Sequence, residues 1–347
     1  MSLFTIRELS LRLQRELFSY HSTSVINNEM QGLQRNLQRA GFRSLRKNKD
    51  VTPQYSGIQQ TSLDPGSEPL KISRLFKPFL FTIGFSSASM AGASIWQYEN
   101  MRRSYLESKK WDWVFARHAE KKGKFRQELN KWWNKRSEGE KMFIPICALN
   151  CLVFAAWRIN KFQPAMAKYF LSSPSQKNLC WPMFLSTFSH FSVIHLAANM
   201  FVLHSFSNVL VHMLGKEQFL GLYVSAGVIS SFTSYLFKVL SQKSGFSLGA
   251  SGAIMALVSF VCFTNPDEQL YLIFLPFFTF NAGLAIKAIL AFDTAGLLFS
   301  WKFFDHAAHL GGALTGVAWQ KWGNQHIWQK REPFLELWHE IRGSVKK

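Results

Sequence analysis

The chain has 347 residues, a formal net charge of +19 and 33 phenylalanines. Charge of this size can indicate a nucleic-acid binder, but such an interface needs Lys and Arg interleaved with aromatic residues on one folded face. Here the basic residues concentrate in residues 1–75 and between Glu99 and Lys141, whereas most of the stretch from Met142 to Trp322 is apolar. The distribution argues against a nucleic-acid partner and assigns the charge to targeting and membrane topology.

The first residues, MSLFTIRELSLRLQRELFSYHS, predict an amphipathic helix with Arg12 and Arg15 opposite an apolar side. This pattern is typical of a mitochondrial transit peptide, although a solvated surface helix has the same periodicity and Glu8 and Glu16 are unusually acidic for such a peptide. Residues 50–70 are rich in Pro, Gly, Ser and Gln, which predicts a disordered linker. We therefore expect residues 1–75 to be a transit peptide followed by a linker.

Long apolar runs predict membrane-spanning helices. Residues 76–97 form a predicted leading transmembrane helix, followed by a polar basic loop at 98–141 whose KWWNKR segment is typical of an interfacial helix. Six further spans are predicted near 142–160, 184–206, 218–240, 250–264, 270–290 and 306–322. The predicted fold class is an all-α polytopic membrane bundle. It has one leading helix, a six-helix core at 142–322 (1+6) and a polar tail at 323–347, where PFLELWHEIRG predicts a short surface helix.

The four cysteines form no CxxC pair and no disulfide-like framework, so they are interpreted as small buried apolar residues: Cys147, Cys151, Cys180 and Cys262. The chain also has no HExxH motif and no carboxylate-rich ligand set. A metal or haem protein that uses intramembrane histidines is one alternative reading, but it would need such a ligand pattern. We therefore expect no metal and no cofactor.

Polar side chains inside membrane spans are costly and normally face a bundle interior or a water-filled cavity, so they mark candidate functional sites. Three predicted core spans contain most of them here. The second span has three histidines and an amide, the fourth has a serine between glycines, and the sixth has an aspartate and two histidines. These residues are His190, His195, Asn199 and His204; Gly249, Ser251 and Gly252; and Asp305, His306 and His309.

Ser251 lies at a predicted helix start, where its own backbone N–H and the helix dipole favour a developing negative charge. Gly249 and Gly252 remove side-chain bulk on both sides, which allows a peptide and a neighbouring helix to approach. A serine becomes a nucleophile only when a base removes its proton. Without such a base, the common interpretation of a serine at this position is a helix cap.

His309 is the candidate base, because His309, Gly312 and Gly316 are spaced three and four apart on one helix face. The glycines allow this face to pack against the helix that carries Gly252, which would bring the imidazole beside Ser251. His306 does not share this face, and we interpret it, with His190, His204 and Asp305, as supporting or structural. His195 and Asn199 share a face and could both donate to an oxyanion, although a structural histidine is an alternative for His195.

Three motifs together resemble the signature of the rhomboid intramembrane serine proteases. They are His190, His195 and Asn199 on one span, GASG at 249–252 on another, and AHLGG at 308–312 on a third. The leading helix and the segment DHAAHLGGALTG resemble the mitochondrial, presenilin-associated rhomboid-like branch. The strong resemblance runs from Trp181 to Trp322, with Trp181-Pro182 in a loop where many relatives have Trp-Arg.

The resemblance implies that Ser251 is the nucleophile, His309 the base, and the Ser251 N–H with the His195 and Asn199 side chains the oxyanion site. It implies membrane-spanning protein substrates in the inner mitochondrial membrane, including a fusion-related dynamin-like GTPase and a quality-control kinase. A catalytically inactive rhomboid-like protein that binds membrane clients is the alternative, and such a protein has usually lost the serine or the histidine. The sequence predicts no oligomeric state.

Short-loop lysines predict the membrane orientation. Lys161, Lys168, Lys177 and Lys243 lie on the same side as the N-terminus and favour a matrix location for it. The basic loop at 98–141 disagrees, because it would lie on the opposite side, and we give more weight to the short loops and the N-terminal segment. We therefore expect the N-terminus in the matrix and the C-terminus in the intermembrane space.

Overall fold

The computed structural model describes residues 70–111, 123–272, 275–301 and 304–344. The predicted transit peptide and most of the linker lie outside the described residues. Of the segment 1–75, only the end is described, and there a short 3-10 turn, Ile72–Leu75, leads directly into the first helix.

Helix α1 spans Phe76–Trp111 and therefore extends well beyond the predicted end at residue 97. Residues 97–111 contain neither Pro nor Gly and are rich in good helix formers, so nothing ends the helix at the predicted point. The predicted loop at 98–141 is thus largely helical where it is described, because α2 follows at Lys124–Asn134. α2 is amphipathic, as its KWWN sequence predicts, and none of its residues is buried.

The remaining helices complete an α-helical bundle, which confirms the predicted fold class. They are α3 (Glu138–Ala156), α4 (Gln163–Phe170), α5 (Cys180–Leu185), α6 (Val193–Leu214), α7 (Lys216–Leu240), α8 (Ser251–Thr264), α9 (Ala282–Leu298), α10 (His306–Ala318) and α11 (Glu332–Ser344). A π-helical segment, Trp319–Trp328, continues α10. Within the described ranges, α1, α3, α6 and α7 are long and apolar enough to cross a membrane, and α8 is a shorter apolar helix.

Two of the six predicted core spans differ most from the structure. The span at 184–206 begins only at Val193, because Ser192 caps α6 by accepting a hydrogen bond from the His195 N–H at 3.1 Å. The span at 270–290 starts with an antiparallel hairpin of β1 (Gln269–Leu272) and β2 (Leu275–Asn281), and α9 follows. A continuous apolar, aromatic run has the same hydropathy in a strand as in a helix, so hydropathy alone predicted the wrong element.

Helices α8 and α10 make a close backbone contact. A Cβ at Gly312 would overlap the carbonyl oxygen of Gly252, and a Cβ at Gly316 would overlap that of Ala256. The structure therefore has the glycine-lined packing that the sequence predicts. Most of α8 is buried, so this contact lies at the centre of the bundle.

The leading helix packs against α7 and against the tail. A Cβ at Gly221 would lie 3.1 Å from both Met90 and Ala93 of α1. Further along α1, the Trp338 indole of α11 donates to Glu99 Oε1 at 3.2 Å, and Arg342 Nε lies 3.1 Å from the same oxygen. The end of α1 and the C-terminal helix are therefore attached to each other.

The α8–α10 contact should tolerate no added methyl group. We expect Gly316→Ala to lower the thermal unfolding temperature in detergent, because overpacking costs about 1–3 kcal/mol and a backbone carbonyl cannot move aside. The matched control is Gly92→Ala in α1, where a Cβ would meet nothing within 4 Å. That variant should be neutral or slightly stabilising, since Ala is favoured over Gly in helices by about 1 kcal/mol. Equal melting temperatures for the two variants would contradict the proposed tightness of the contact.

Candidate active site

Ser251 is the first residue of α8, and the loop before it is held in a single conformation. Gly249 has φ +129°, in the left-handed region that favours glycine, and its N–H donates to the Ser186 carbonyl at 2.9 Å. A Cβ at Gly249 would also lie 2.9 Å from His195 Cε1. Ala250, not Ser251, occupies the N-cap position. The interpretation of Ser251 as an ordinary helix cap is therefore wrong.

The hydroxyl of Ser251 meets an imidazole instead. His309 Nε2 lies 2.8 Å from Ser251 Oγ. His309 is in the first turn of α10, one turn before Gly312, and is 9% exposed. The glycine contact described above positions the two helices so that these side chains face each other, and a neutral imidazole at this distance can accept the hydroxyl proton.

Of the two predicted oxyanion residues, the structure places His195 beside the serine loop, whereas the Asn199 side chain is engaged within its own helix. The His195 ring and Ser251 Oγ both flank the open face of Gly249. The Asn199 side chain donates instead to the His195 carbonyl of its own helix at 2.8 Å, so one of its two amide hydrogens is engaged. His190 packs edge-on against His195, with ring centroids 4.8 Å apart, and its Nε2 accepts from the Ala250 N–H at 3.4 Å. His190 therefore supports both the loop and His195.

Asp305 connects three parts of the site. Its Oδ1 caps α10 by accepting from the Ala308 N–H at 3.0 Å. Its Oδ2 accepts from Ser234 at 2.6 Å and from Lys238 at 3.2 Å, both on α7, and from Ser247 in the loop before Ser251. Lys238 and these hydrogen bonds offset the cost of burying the Asp305 carboxylate. The charged Asp305 thus fixes the serine loop relative to the helix that carries His309.

Asp293, a buried residue of α9 that is 2% exposed, was not predicted from the sequence. Its Oδ1 lies 2.7 Å from His306 Nδ1 and 3.5 Å from His309 Nδ1. The predicted fifth span ended at residue 290, so Asp293 was not considered as an intramembrane charge. The available signal was a single carboxylate in the apolar segment ILAFDTAGLL. His306, interpreted from sequence as structural, is the closer of its two imidazole partners.

The other candidate residues lie apart from this cluster. His204 is exposed and its ring packs edge-on against Phe143, with centroids 4.9 Å apart. All four cysteines are free thiols. Within the described ranges, no group of three or more His, Cys, Asp or Glu side chains could hold a metal ion.

Comparison with known proteins gives the same family as the motifs. The Rhomboid domain model matches residues 177–323. The Homo sapiens protein named presenilin-associated rhomboid-like protein, mitochondrial is 51% identical over 293 residues, which cover 84% of this chain and 77% of the human one. The Danio rerio presenilin-associated rhomboid-like protein A, mitochondrial is 40% identical over 339 residues, with 88% of each chain covered. Rhomboid protein 1, mitochondrial, of Saccharomyces cerevisiae is 31% identical over 193 residues, which cover 55% of this chain and 56% of the yeast one. The chain therefore belongs to the rhomboid family, in its mitochondrial presenilin-associated rhomboid-like branch.

Proposed function

We propose that this protein is an intramembrane serine endopeptidase, with Ser251 as nucleophile and His309 as general base. The observation that carries the proposal is the 2.8 Å distance between Ser251 Oγ and His309 Nε2 inside a helical membrane bundle. Acyl transfer by a serine needs a base to accept the hydroxyl proton and positive charge near the developing oxyanion. The imidazole of His309 provides the base, and the N-terminal end of the α8 helix dipole provides the partial positive charge. Family membership supports the same reaction, because rhomboids are typically intramembrane serine proteases.

In the proposed reaction Ser251 is the nucleophile and His309 transfers the protons. Ser251 Oγ attacks the substrate carbonyl while its proton passes to His309 Nε2, and that proton then goes to the leaving amide nitrogen. The resulting acyl-enzyme is hydrolysed by water, with His309 again acting as base. The Ser251 N–H, at the helix start, faces the developing oxyanion, and His195 beside Gly249 is a second donor. Asn199 contributes with its second amide hydrogen, or after its side chain turns from the His195 carbonyl.

The length of α8 supports a site below the lipid surface. Its 14 residues span about 21 Å at the usual helical rise, which is less than the roughly 30 Å hydrocarbon core of a bilayer. A helix that reaches one membrane surface at Thr264 therefore starts inside the membrane at Ser251. The loop before Ser251 stays ordered at this depth because its backbone is paired: Ser247 and Ser172 exchange N–H···O bonds of 2.8 and 2.9 Å.

The proposed location is the mitochondrial inner membrane. Relatives named as mitochondrial support the organelle, and the predicted N-terminal transit peptide agrees with it. The family resemblance extends the role to membrane dynamics, fusion and quality control through cleavage of inner-membrane proteins. The proposed topology is seven spans, with the N-terminus in the matrix and the C-terminus in the intermembrane space.

The dyad is tested with matched serine and histidine variants. We expect Ser251→Ala and His309→Ala to lower the cleavage rate of a transmembrane substrate in liposomes by at least about 10,000-fold, because each removes one half of a single proton-transfer unit. Ser259→Ala is the serine control, since Ser259 is fully buried on the same helix and its hydroxyl has no partner among the described residues. His326→Ala is the exposed histidine control.

Both controls should cleave at the wild-type rate. Cleavage that survives in Ser251→Ala would overturn the assignment of the nucleophile. A wild-type protein that binds a transmembrane substrate but never cleaves it would instead support the inactive, client-binding alternative.

Substrate preference provides a second test, because a helical substrate keeps its carbonyls in i to i+4 hydrogen bonds and must unwind before Ser251 reaches one. We expect Gly or Pro next to the cleaved bond to raise kcat/KM roughly tenfold over Leu, since Gly lowers helix stability by about 1 kcal/mol and Pro by about 3 kcal/mol. Cleavage of a matched panel of transmembrane peptides measures this. Equal rates across the panel would argue against unwinding as a requirement.

Orientation is tested with a C-terminal epitope tag. In mitoplasts, where the outer membrane is open, added protease should remove the tag while a matrix marker protein stays intact. A tag that is protected until detergent is added would reverse the proposed orientation.

A further inference from the structure

A third ionisable side chain lies behind the serine–histidine pair. Asp293 belongs to α9, within the apolar segment ILAFDTAGLL, and is almost fully buried. A buried carboxylate is strongly unfavourable unless it receives hydrogen bonds, so its partners indicate what it does. Both partners here are imidazoles of α10.

The side chains of Ser251, His309 and Asp293 form a chain of contacts in space, with His309 in the middle. His309 Nε2 is 2.8 Å from Ser251 Oγ, and His309 Nδ1, on the other side of the same ring, is 3.5 Å from Asp293 Oδ1. The carboxylate is therefore close to the one imidazole nitrogen that the serine does not use. A hydrogen bond there would require the proton to be on Nδ1, which leaves the lone pair of Nε2 free for the serine hydroxyl.

His306 holds the carboxylate in this place. Its Nδ1 is 2.7 Å from Asp293 Oδ1, and its ring is 3% exposed. The ring packs edge-on against three aromatic side chains: Phe292, Trp301 and Phe304. Gly296 leaves space for it, because a Cβ at that position would lie 2.5 Å from three atoms of the imidazole. The His306 contact thus holds the same carboxylate oxygen that lies 3.5 Å from His309 Nδ1.

We propose, on the basis of the function proposed above, that Asp293 is a positioning residue for His309. It keeps the proton of the neutral imidazole on Nδ1 and orients Nε2 towards Ser251. When Nε2 takes the serine proton, the carboxylate beside the ring stabilises the imidazolium. The proton on Nδ1 stays there throughout, while the proton on Nε2 passes to the leaving nitrogen.

The 3.5 Å between His309 Nδ1 and Asp293 Oδ1 is longer than an ordinary hydrogen bond. Hydrogen bonds within catalytic groups are often long in free enzymes and shorten when substrate binds. The 2.7 Å contact with His306 Nδ1 meanwhile fixes the same carboxylate oxygen beside the His309 ring.

The test is Asp293→Asn in the full-length protein in liposomes. Asn keeps the shape and can still accept the His306 hydrogen bond, but it lacks the charge. Rates are normalised to active sites that are titrated by complete labelling with a fluorophosphonate probe, so an unfolded fraction cancels. We expect kcat per titrated site to fall about 10- to 1,000-fold, with KM changed less than about threefold because the substrate is not contacted. The rate of probe labelling at Ser251 should fall in parallel.

Two further variants separate positioning from simple structural support. Asp267→Asn changes an exposed acid before the β-hairpin and should leave kcat unchanged. His306→Phe keeps the ring shape among its aromatic neighbours and leaves Asp293 with His309 as its imidazole partner, so its loss of kcat should be clearly smaller than that of Asp293→Asn. A loss of kcat in His306→Phe that is larger than the loss in Asp293→Asn would show that Asp293 acts by supporting His306, and would overturn the proposal.

The outcome also distinguishes this inference from the proposed function. If the wild-type protein cleaves and Asp293→Asn has the same kcat per titrated site, the positioning role is wrong and the Ser251–His309 dyad stands. If the wild-type protein neither cleaves a transmembrane substrate nor reacts with the probe, both proposals fail.

Discussion

The contact between the backbones of α8 and α10 is the constraint on which the rest of the site depends. In a bilayer, lipid tails are as apolar as Leu, so close packing and not burial of apolar surface drives two helices together. Gly312 and Gly316 touch the carbonyls of Gly252 and Ala256 at points one helical turn apart. Two such points fix both the register and the rotation of the helices. His309, one turn before Gly312, must then face the residue next to Gly252, which is Ser251.

Polar interactions add a second level of precision to this packing. Asp305 joins α7, the serine loop and the start of α10 through its two oxygens. Gly249 and Ser247 attach the same loop to Ser186 and Ser172. Each buried donor or acceptor away from water needs a partner, so this network has few alternative arrangements. Ser251 and His309 are therefore held by one connected framework, although 58 residues separate them in the chain.

The sequence was sufficient to predict the parts of the candidate site whose geometry follows from local spacing. The patterns that predicted them each extend over one or two helical turns. They are the polar residues within apolar spans, the serine at a helix start, and Gly312 and Gly316, which follow His309 at successive spacings of three and four. Asp293 was missed because its contacts with His306 and His309 depend on how far α9 extends and how it packs against α10. Hydropathy determines neither of these. The hairpin at 269–281 was missed because aromatic and aliphatic runs are equally apolar in strands and helices. α1 is longer than predicted because polarity, which ends a membrane span, does not end a helix.

The attachment of α11 to α1 through Glu99 limits how the chain can be threaded through the bilayer. Two segments that share an ion pair and a hydrogen bond must emerge on the same face of the membrane. Between Glu99 and Trp338 the polypeptide can then cross only an even number of times. The six crossings of the proposed topology satisfy this parity, whereas any odd number would place Glu99 and Trp338 on opposite faces of the membrane.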